Sequence, residues 1–140
     1  MHKKKQLDRI LRVRTLQLGM TRADEVRAQA KAASEADLAE RIARLADSVA
    51  PAPSEAGNGF SLVAAAHFRS RLQQSAEMAE HRLRAAEDAA QRAAEATREA
   101  KRDQSAVAKL MVRADREAAL KAIRALEAAP AVRKIRHDPC

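Results

Sequence analysis

The second half of the chain places small and apolar side chains at alternating steps of four and three residues. Charged residues fill most of the positions between them, from Leu72 to Ala118. This spacing is that of the a and d positions of a left-handed coiled coil. The predicted seam of this helix consists of Leu72, Ala76, Ala79, Leu83, Ala86, Ala90, Ala93, Thr97, Ala100, Gln104, Val107, Met111, Ala114 and Ala118.

The first half shows the same periodicity in two separate stripes. We expect these stripes to be joined by a stutter near residues 34–37, which would change the supercoil locally. The first stripe consists of Leu16, Met20, Ala23, Val26, Ala30 and Ala33, and the second consists of Leu38, Ile42, Leu45 and Val49.

Helix-breaking residues concentrate in one segment, SVAPAPSEAGNGFS at 48–61, which predicts the connection between two long helices. We expect one domain, with arm one at about 4–49, the connection at about 50–60, arm two at about 61–128 and a basic tail at 129–140. A short connection makes neighbouring helices antiparallel. The predicted fold is therefore all-α, an antiparallel coiled-coil hairpin with an alanine-rich seam.

If the turn is centred near residue 55, the numbers of two residues that face each other across the hairpin should sum to about 110. Lys3 would then lie near Val107, and residues 82–104 would lie opposite residues of about 6–28. At 1.5 Å per residue, arm one would measure about 70 Å and arm two about 100 Å. The part of arm two beyond about residue 108 would therefore project past arm one. Its apolar side chains predict either a docking helix for a partner or a segment that folds back or frays.

The composition indicates that the contact between the helices buries little apolar area. The chain has two Phe and no Trp or Tyr, and alanine supplies most of its apolar fraction, so each residue buries little area. The net charge of +8 comes from the two ends of the sequence, with +6 in residues 1–22 and +2 in residues 129–140. The basic and acidic residues between these ends cancel to a net charge of zero. The cluster at Lys3, Lys4, Lys5 and Arg9 could attract an acidic partner or phosphate.

Enzymatic chemistry is not expected. The histidines lack metal-ligand spacing, no glycine-rich phosphate loop is present, and Cys140 alone cannot form an intrachain disulfide. We expect no cofactor, no metal and no small-molecule substrate. A basic helical protein associated with nucleic acid, or another coiled-coil scaffold, is the alternative, although two Phe are the only aromatic residues on which bases could stack. The predicted partner-binding residues are Lys3, Lys4, Lys5, Arg9, Leu110, Met111, Leu120, Ile123 and Leu126.

Nearly the whole chain resembles the flagellar FliJ family. The likeness lies in the basic start KKKQLDRILRVRTLQL, the break, and the second arm that opens GFSLVAAAHFRSRLQQSAEMAEHRL. Family-typical positions are matched by His67, Phe68, Arg71, Leu72, Lys101, Lys109 and Leu110. Ala108 departs from the pattern, since an acidic residue often precedes that final Lys-Leu pair.

The resemblance implies an antiparallel coiled coil similar to the gamma stalk of rotary ATP synthases, without catalytic activity of its own. It implies a non-enzymatic stalk or chaperone-type component of flagellar type III protein export. The implied partners are the flagellar export ATPase, the export-gate membrane protein and export chaperones. The implied location is the cytoplasm, peripherally associated with the export apparatus of the inner membrane.

Overall fold

The structure, a computed structural model, describes residues 2–49 and 59–131. These residues form two α-helices that pack against each other, α1 at His2–Ser48 and α2 at Gly59–Glu127, and none of them lies in a strand. The all-α fold predicted from the sequence is confirmed. Most of the predicted connection and most of the predicted basic tail lie outside the described residues.

The ends of the helices follow from local chemistry. The hydroxyl of Ser48 donates a hydrogen bond to the carbonyl oxygen of Leu45, in the last turn of α1. At the end of α2 the amide of Ala129 bonds to the carbonyl of Leu126, which tightens the final turn. Pro130 follows at once and cannot continue the helical hydrogen-bond ladder.

The helices pack in two units, which are described separately. Unit 1 comprises Met1–Thr15 and Arg102–Cys140, and unit 2 comprises Leu16–Lys101. Each unit therefore contains part of α1 and part of α2.

The α2 seam of unit 2 is the one that the heptad pattern predicts. Ala79 and Ala86 are 1% and 5% exposed, and the other predicted members in this unit are half-buried. Residues at intervening positions, such as Glu80 and Arg84, are exposed. The alanine-rich stretch is therefore a packing surface, as expected.

The predicted α1 stripe is wrong in unit 2. Its first six members, from Leu16 to Ala33, are all exposed, and so are Leu38 and Leu45 in the second stripe. Only Ile42 and Val49 are half-buried. The covered positions lie on another face and include Leu18, Thr21, Glu25, Ala28, Ala32, Glu35, Ala39, Ile42, Ala46 and Val49.

These covered positions alternate by three and four residues without interruption, so the predicted stutter near 34–37 is also wrong. The physical reason is the shape of the opposing surface. Because the α2 seam offers mostly alanines, it accepts small α1 side chains and flexible polar ones such as Glu35. Most of the large aliphatic residues of the predicted stripes lie on the outside, whereas Leu18, Ile42 and Val49 are covered.

Ion pairs connect α1 and α2 in both units, and those of unit 1 define the direction of the helices. In unit 1, Lys4 contacts Asp115 while Arg14, ten residues later, contacts Asp103. Higher numbers on α1 therefore face lower numbers on α2 in this unit, which is the predicted antiparallel arrangement. In unit 2, Glu35 Oε2 lies 3.7 Å from Arg82 Nε.

The predicted register is wrong by about one heptad. The sum of about 110 placed Lys3 near Val107, but Lys4 pairs with Asp115, two turns further along α2. The prediction assumed that both helices leave the turn at equal distance from its centre. In the observed register Arg14 and Asp103, which are both half-buried, form an ion pair between the two helices.

In unit 1 the seam contains larger side chains than in unit 2. Leu7 and Leu11 on α1 and Val107 and Met111 on α2 are half-buried. Ala118, the last predicted seam member, is exposed. Because Lys4 lies opposite Asp115, Ala118 lies level with or past the first residue of α1, and this position explains its exposure.

Candidate interaction surface

All nine partner-binding residues predicted from the sequence fall in unit 1. Four of them, Lys3, Lys4, Lys5 and Arg9, lie in the first turns of α1, and the other five lie on α2 between Leu110 and Leu126. The fold thus places a cationic helix start and an apolar helix end in one unit.

The basic start of α1 is exposed. Lys3, Lys5 and Arg9 project into solvent, whereas Lys4 is engaged with the Asp115 carboxylate at 2.8 Å. The hydrogen bond to Asp115 and the attraction of that carboxylate raise the pKa of Lys4 above its ordinary value. Lys4 therefore ties α1 to α2, while its neighbours remain accessible.

Two further polar contacts hold α1 to α2 in unit 1. Arg14 Nη1 donates to Asp103 Oδ2 at 3.1 Å, and Gln104 Nε2 donates to Thr15 Oγ1 at 3.3 Å. Arg14 and Gln104 are both half-buried seam residues. Polar groups at seam positions fix register because a slipped pairing would leave them unmatched.

The apolar end of α2 is exposed and helical. Leu120, Ile123 and Leu126 are 53%, 50% and 76% exposed, on the part of the helix that extends past the start of α1. Because α2 continues unbroken to Glu127, the segment does not fold back within the described residues. Lys121 and Arg124 are exposed among these apolar residues, which gives the end of α2 a mixed apolar and cationic surface.

The remaining predicted residues on α2 have different environments. Leu110 is about half exposed and lies outside the seam. Met111 is half-buried within the seam, so part of its side chain packs against α1 and is not available to a partner. The structure therefore divides the predicted docking residues between a free helix end and the packed part of the unit.

Charge differs sharply between the two units. Unit 1 contains 15 basic and 6 acidic residues, and unit 2 contains 12 basic and 13 acidic residues. The entire excess positive charge of the chain therefore lies in unit 1. A partner with an acidic surface would be attracted to this unit over distances set by the Debye length, about 8 to 10 Å near physiological salt.

Sequence reasoning missed the exposed aliphatic residues of unit 2. Leu16, Met20 and Val26 on α1, and Leu62 and Val63 near the start of α2, are all more than half exposed. The signal was present, since Leu16, Met20 and Val26 form a periodic stripe. This stripe fits the pattern of a seam equally well, because hydrophobic periodicity alone does not distinguish two apolar faces of one helix.

Within residues 2–49 and 59–131, no group of three or more His, Cys, Asp or Glu residues is arranged to hold a metal ion. His67 and His81 are both exposed, and His137 and Cys140 lie outside the described residues. Among the described helices, neither contains a segment with the length and apolar character needed to cross a membrane. Comparison with known proteins found no matching family model, curated protein or solved structure.

Proposed function

We propose that this protein is a non-enzymatic helical component of a flagellar-type protein export apparatus, which docks onto the export ATPase through the apolar end of α2. The export-gate membrane protein and export chaperones are its further proposed partners. In this proposal the protein works in the cytoplasm, at the periphery of the inner membrane. The motifs at Phe68, Arg71 and Leu72 and at Lys109 and Leu110 carry the resemblance that names these partners.

The observation that carries the proposal is the exposed helix end at Leu120, Ile123 and Leu126. Fully burying an exposed side chain of this kind contributes about 1.5 to 3 kcal/mol, and the exposed part of these three is the apolar surface that docking into a groove would cover. Lys121 and Arg124 accompany them and favour a groove with an acidic rim. The helix is already formed to Glu127, so binding does not require its folding.

Binding of the purified chain to the purified export ATPase, measured by isothermal titration calorimetry, tests the proposal. The variant Leu120→Ser/Ile123→Ser/Leu126→Ser should bind at least about 10-fold more weakly, because it loses at least about 1.4 kcal/mol of apolar contact. The matched control is Leu62→Ser/Val63→Ser, which removes equally exposed aliphatic residues from unit 2 and should leave the affinity unchanged.

The proposal is overturned if the wild-type chain does not bind the ATPase, or if the triple variant binds as tightly as the wild type. Circular dichroism of the triple variant checks that its helix content is retained.

A nucleic-acid-associated function is the second candidate, and the concentration of cations in unit 1 favours it. A gel shift with duplex DNA at several salt concentrations separates the two functions. Tight binding to DNA that weakens steeply with salt, without binding to the ATPase, would support this candidate and contradict the export proposal. We expect weak binding only, since the sequence carries no recognisable nucleic-acid-reading motif.

A further inference from the structure

The outer side of α1 in unit 2 carries an apolar stripe that α2 does not cover. Leu16, Met20 and Val26 are 69%, 68% and 65% exposed, and Ala23 between them is also exposed. Leu18, which is only 4% exposed, lies on the other side of the helix, against α2. The stripe therefore faces away from α2.

The charged residues beside this stripe are mostly basic. Arg22 borders the stripe, and Arg27 and Lys31 continue it along the helix at a step of four residues. All three side chains are exposed. Asp24 is the only exposed acidic residue within the described segment 16–31, and it is paired with Arg27. Three exposed bases and one exposed acid give this side of the helix a net charge of +2.

This combination of apolar and cationic groups favours an anionic lipid surface as the occupant. Two copies of the chain placed face to face at the stripe would bring like charges together. The backbone of a nucleic acid would attract the cations, but it would leave the aliphatic side chains in water. An anionic bilayer interacts with both groups, because aliphatic side chains enter the boundary between head groups and acyl chains while bases contact the lipid phosphates.

We propose that α1 of unit 2 binds the surface of an anionic lipid bilayer through residues 16–31. Leu16, Met20 and Val26 enter the interface, and the helix axis lies parallel to the membrane. Arg22 and Lys31 extend their aliphatic stems along the same surface and place their charges at the phosphates. The segment is about 24 Å long at 1.5 Å per residue. It is helical without lipid, so binding does not require its folding.

The lipid contact and the proposed docking to the export ATPase use different residues. Docking depends on the end of α2 in unit 1, whereas the lipid contact depends on α1 in unit 2. The lipid contact would attach the protein directly to the inner membrane, where the proposed function places it. Vesicle binding and ATPase binding can fail separately, so each is tested by its own measurement.

Co-sedimentation of the full chain with lipid vesicles provides the first test. The wild type should bind vesicles of equimolar phosphatidylglycerol and phosphatidylcholine, and it should bind vesicles of phosphatidylcholine alone at least about 10-fold more weakly. Binding to the anionic vesicles should weaken as salt is added, because salt screens the attraction between the bases and the lipid phosphates.

Two variants separate the apolar and the cationic contributions. Leu16→Ser/Met20→Ser should bind anionic vesicles at least about 10-fold more weakly, because it loses the side chains that enter the interface. Arg22→Gln/Lys31→Gln should also bind about 10-fold more weakly or less, since each base near an anionic surface strengthens binding about 5-fold. Both variants change exposed residues, and circular dichroism checks that their helix content is retained.

The matched control is Leu62→Ser/Val63→Ser on α2 of the same unit. These two aliphatic residues are 60% and 70% exposed, but no Lys or Arg lies within four residues of either of them. The control should bind anionic vesicles like the wild type.

Insertion of the stripe into the bilayer can be observed directly, because the chain has no tryptophan. Met20→Trp introduces a single fluorescent reporter at the centre of the stripe. On anionic vesicles its emission should shift to shorter wavelength, and lipids with brominated acyl chains should quench it. Val63→Trp, outside the proposed contact, should show neither change.

Three results would overturn the proposal. The first is a wild-type chain that does not bind anionic vesicles. The second is a Leu16→Ser/Met20→Ser variant that binds them as tightly as the wild type, which would assign the binding to the general positive charge of the chain. The third is Met20→Trp bound to vesicles without quenching by the brominated lipids. If vesicles are not bound and Arg22→Gln/Lys31→Gln weakens binding to duplex DNA in a gel shift, the face belongs to a nucleic acid instead.

Discussion

Units 1 and 2 each contain parts of α1 and α2 with the same heptad spacing. Their seam residues differ in size and in the extent to which they are buried. In unit 2 small residues dominate, and Leu18, Ala79 and Ala86 are buried, with at most 5% of each exposed. In unit 1 the seam contains Leu7, Leu11 and other large residues, but none of its described residues is fully buried. The unit with the larger seam side chains is therefore not the unit with the more deeply buried seam.

The difference shows what each unit is suited to do. Alanines allow two helices to approach closely, which excludes water but buries little area per residue. Unit 1 adds polar contacts, such as Arg14 with Asp103, and carries the excess positive charge. Unit 2 thus holds the helices together in a nearly neutral segment with a small-residue seam, whereas unit 1 carries the excess positive charge and the exposed apolar end of α2.

The largest predicted effect comes from Leu18, which is 4% exposed and faces α2. Leu18→Ala should lower the free energy of unfolding by about 2 to 4 kcal/mol, through lost burial and the cavity left behind. Leu16→Ala, two residues away on the exposed face, should change it by less than about 0.5 kcal/mol. Urea unfolding of both variants at low protein concentration measures the difference, and equal losses would contradict the assignment of the seam.

A smaller effect is expected from enlarging the seam. Ala86→Leu in unit 2 should destabilise the protein by about 1 to 3 kcal/mol, because a leucine at this 5% exposed seam position should force the facing α1 side chains to shift. Ala114→Leu, at a half-buried seam position of unit 1, should be nearly neutral. If Ala86→Leu raised the urea midpoint, the helices of unit 2 would not be in close contact.

The smallest effect concerns the exposed Lys4–Asp115 pair of unit 1. The folded-state pKa of Lys4 is raised above 10.5, so this contact stabilises the protein fully below that value and is lost as the pH rises through the raised pKa. The difference in melting temperature between the wild type and Lys4→Met should be small at neutral pH and vanish in strongly alkaline solution. A difference that persists there would mean that the pairing of charges is not its cause.

The helical fold and the α2 seam were predictable because alanine and leucine recur at heptad spacing with charged residues between them. The α1 seam was not, because Glu25 and Glu35 occupy covered positions while Leu16 and Met20 occupy exposed ones. Which apolar face of a helix is buried depends on the surface opposite it. Here that surface consists mostly of alanines and covers Leu18 and Ile42 as well as the polar residues Glu25 and Glu35.

The candidate docking residues were partly predictable for a related reason. Leu120, Ile123 and Leu126 project because α2 is longer than α1, which the positions of the breakers reveal. The environment of Met111 depends on register, and register depends on ion pairs such as Lys4 with Asp115. Periodicity alone permits a slip of seven residues, since every seam position then meets another seam position.

The register of the alanine-rich seam is the central claim, and crosslinking tests it most directly. Two double variants are made with Cys140→Ser, and each is treated with a short bismaleimide at low protein concentration. Ala28 and Ala89 line the same groove of unit 2, so Ala28→Cys/Ala89→Cys should crosslink rapidly within one chain. Thr21→Cys/Ala89→Cys, which would be adjacent only after a slip of one heptad, should crosslink slowly. Faster crosslinking of the Thr21 pair than of the Ala28 pair would contradict the account.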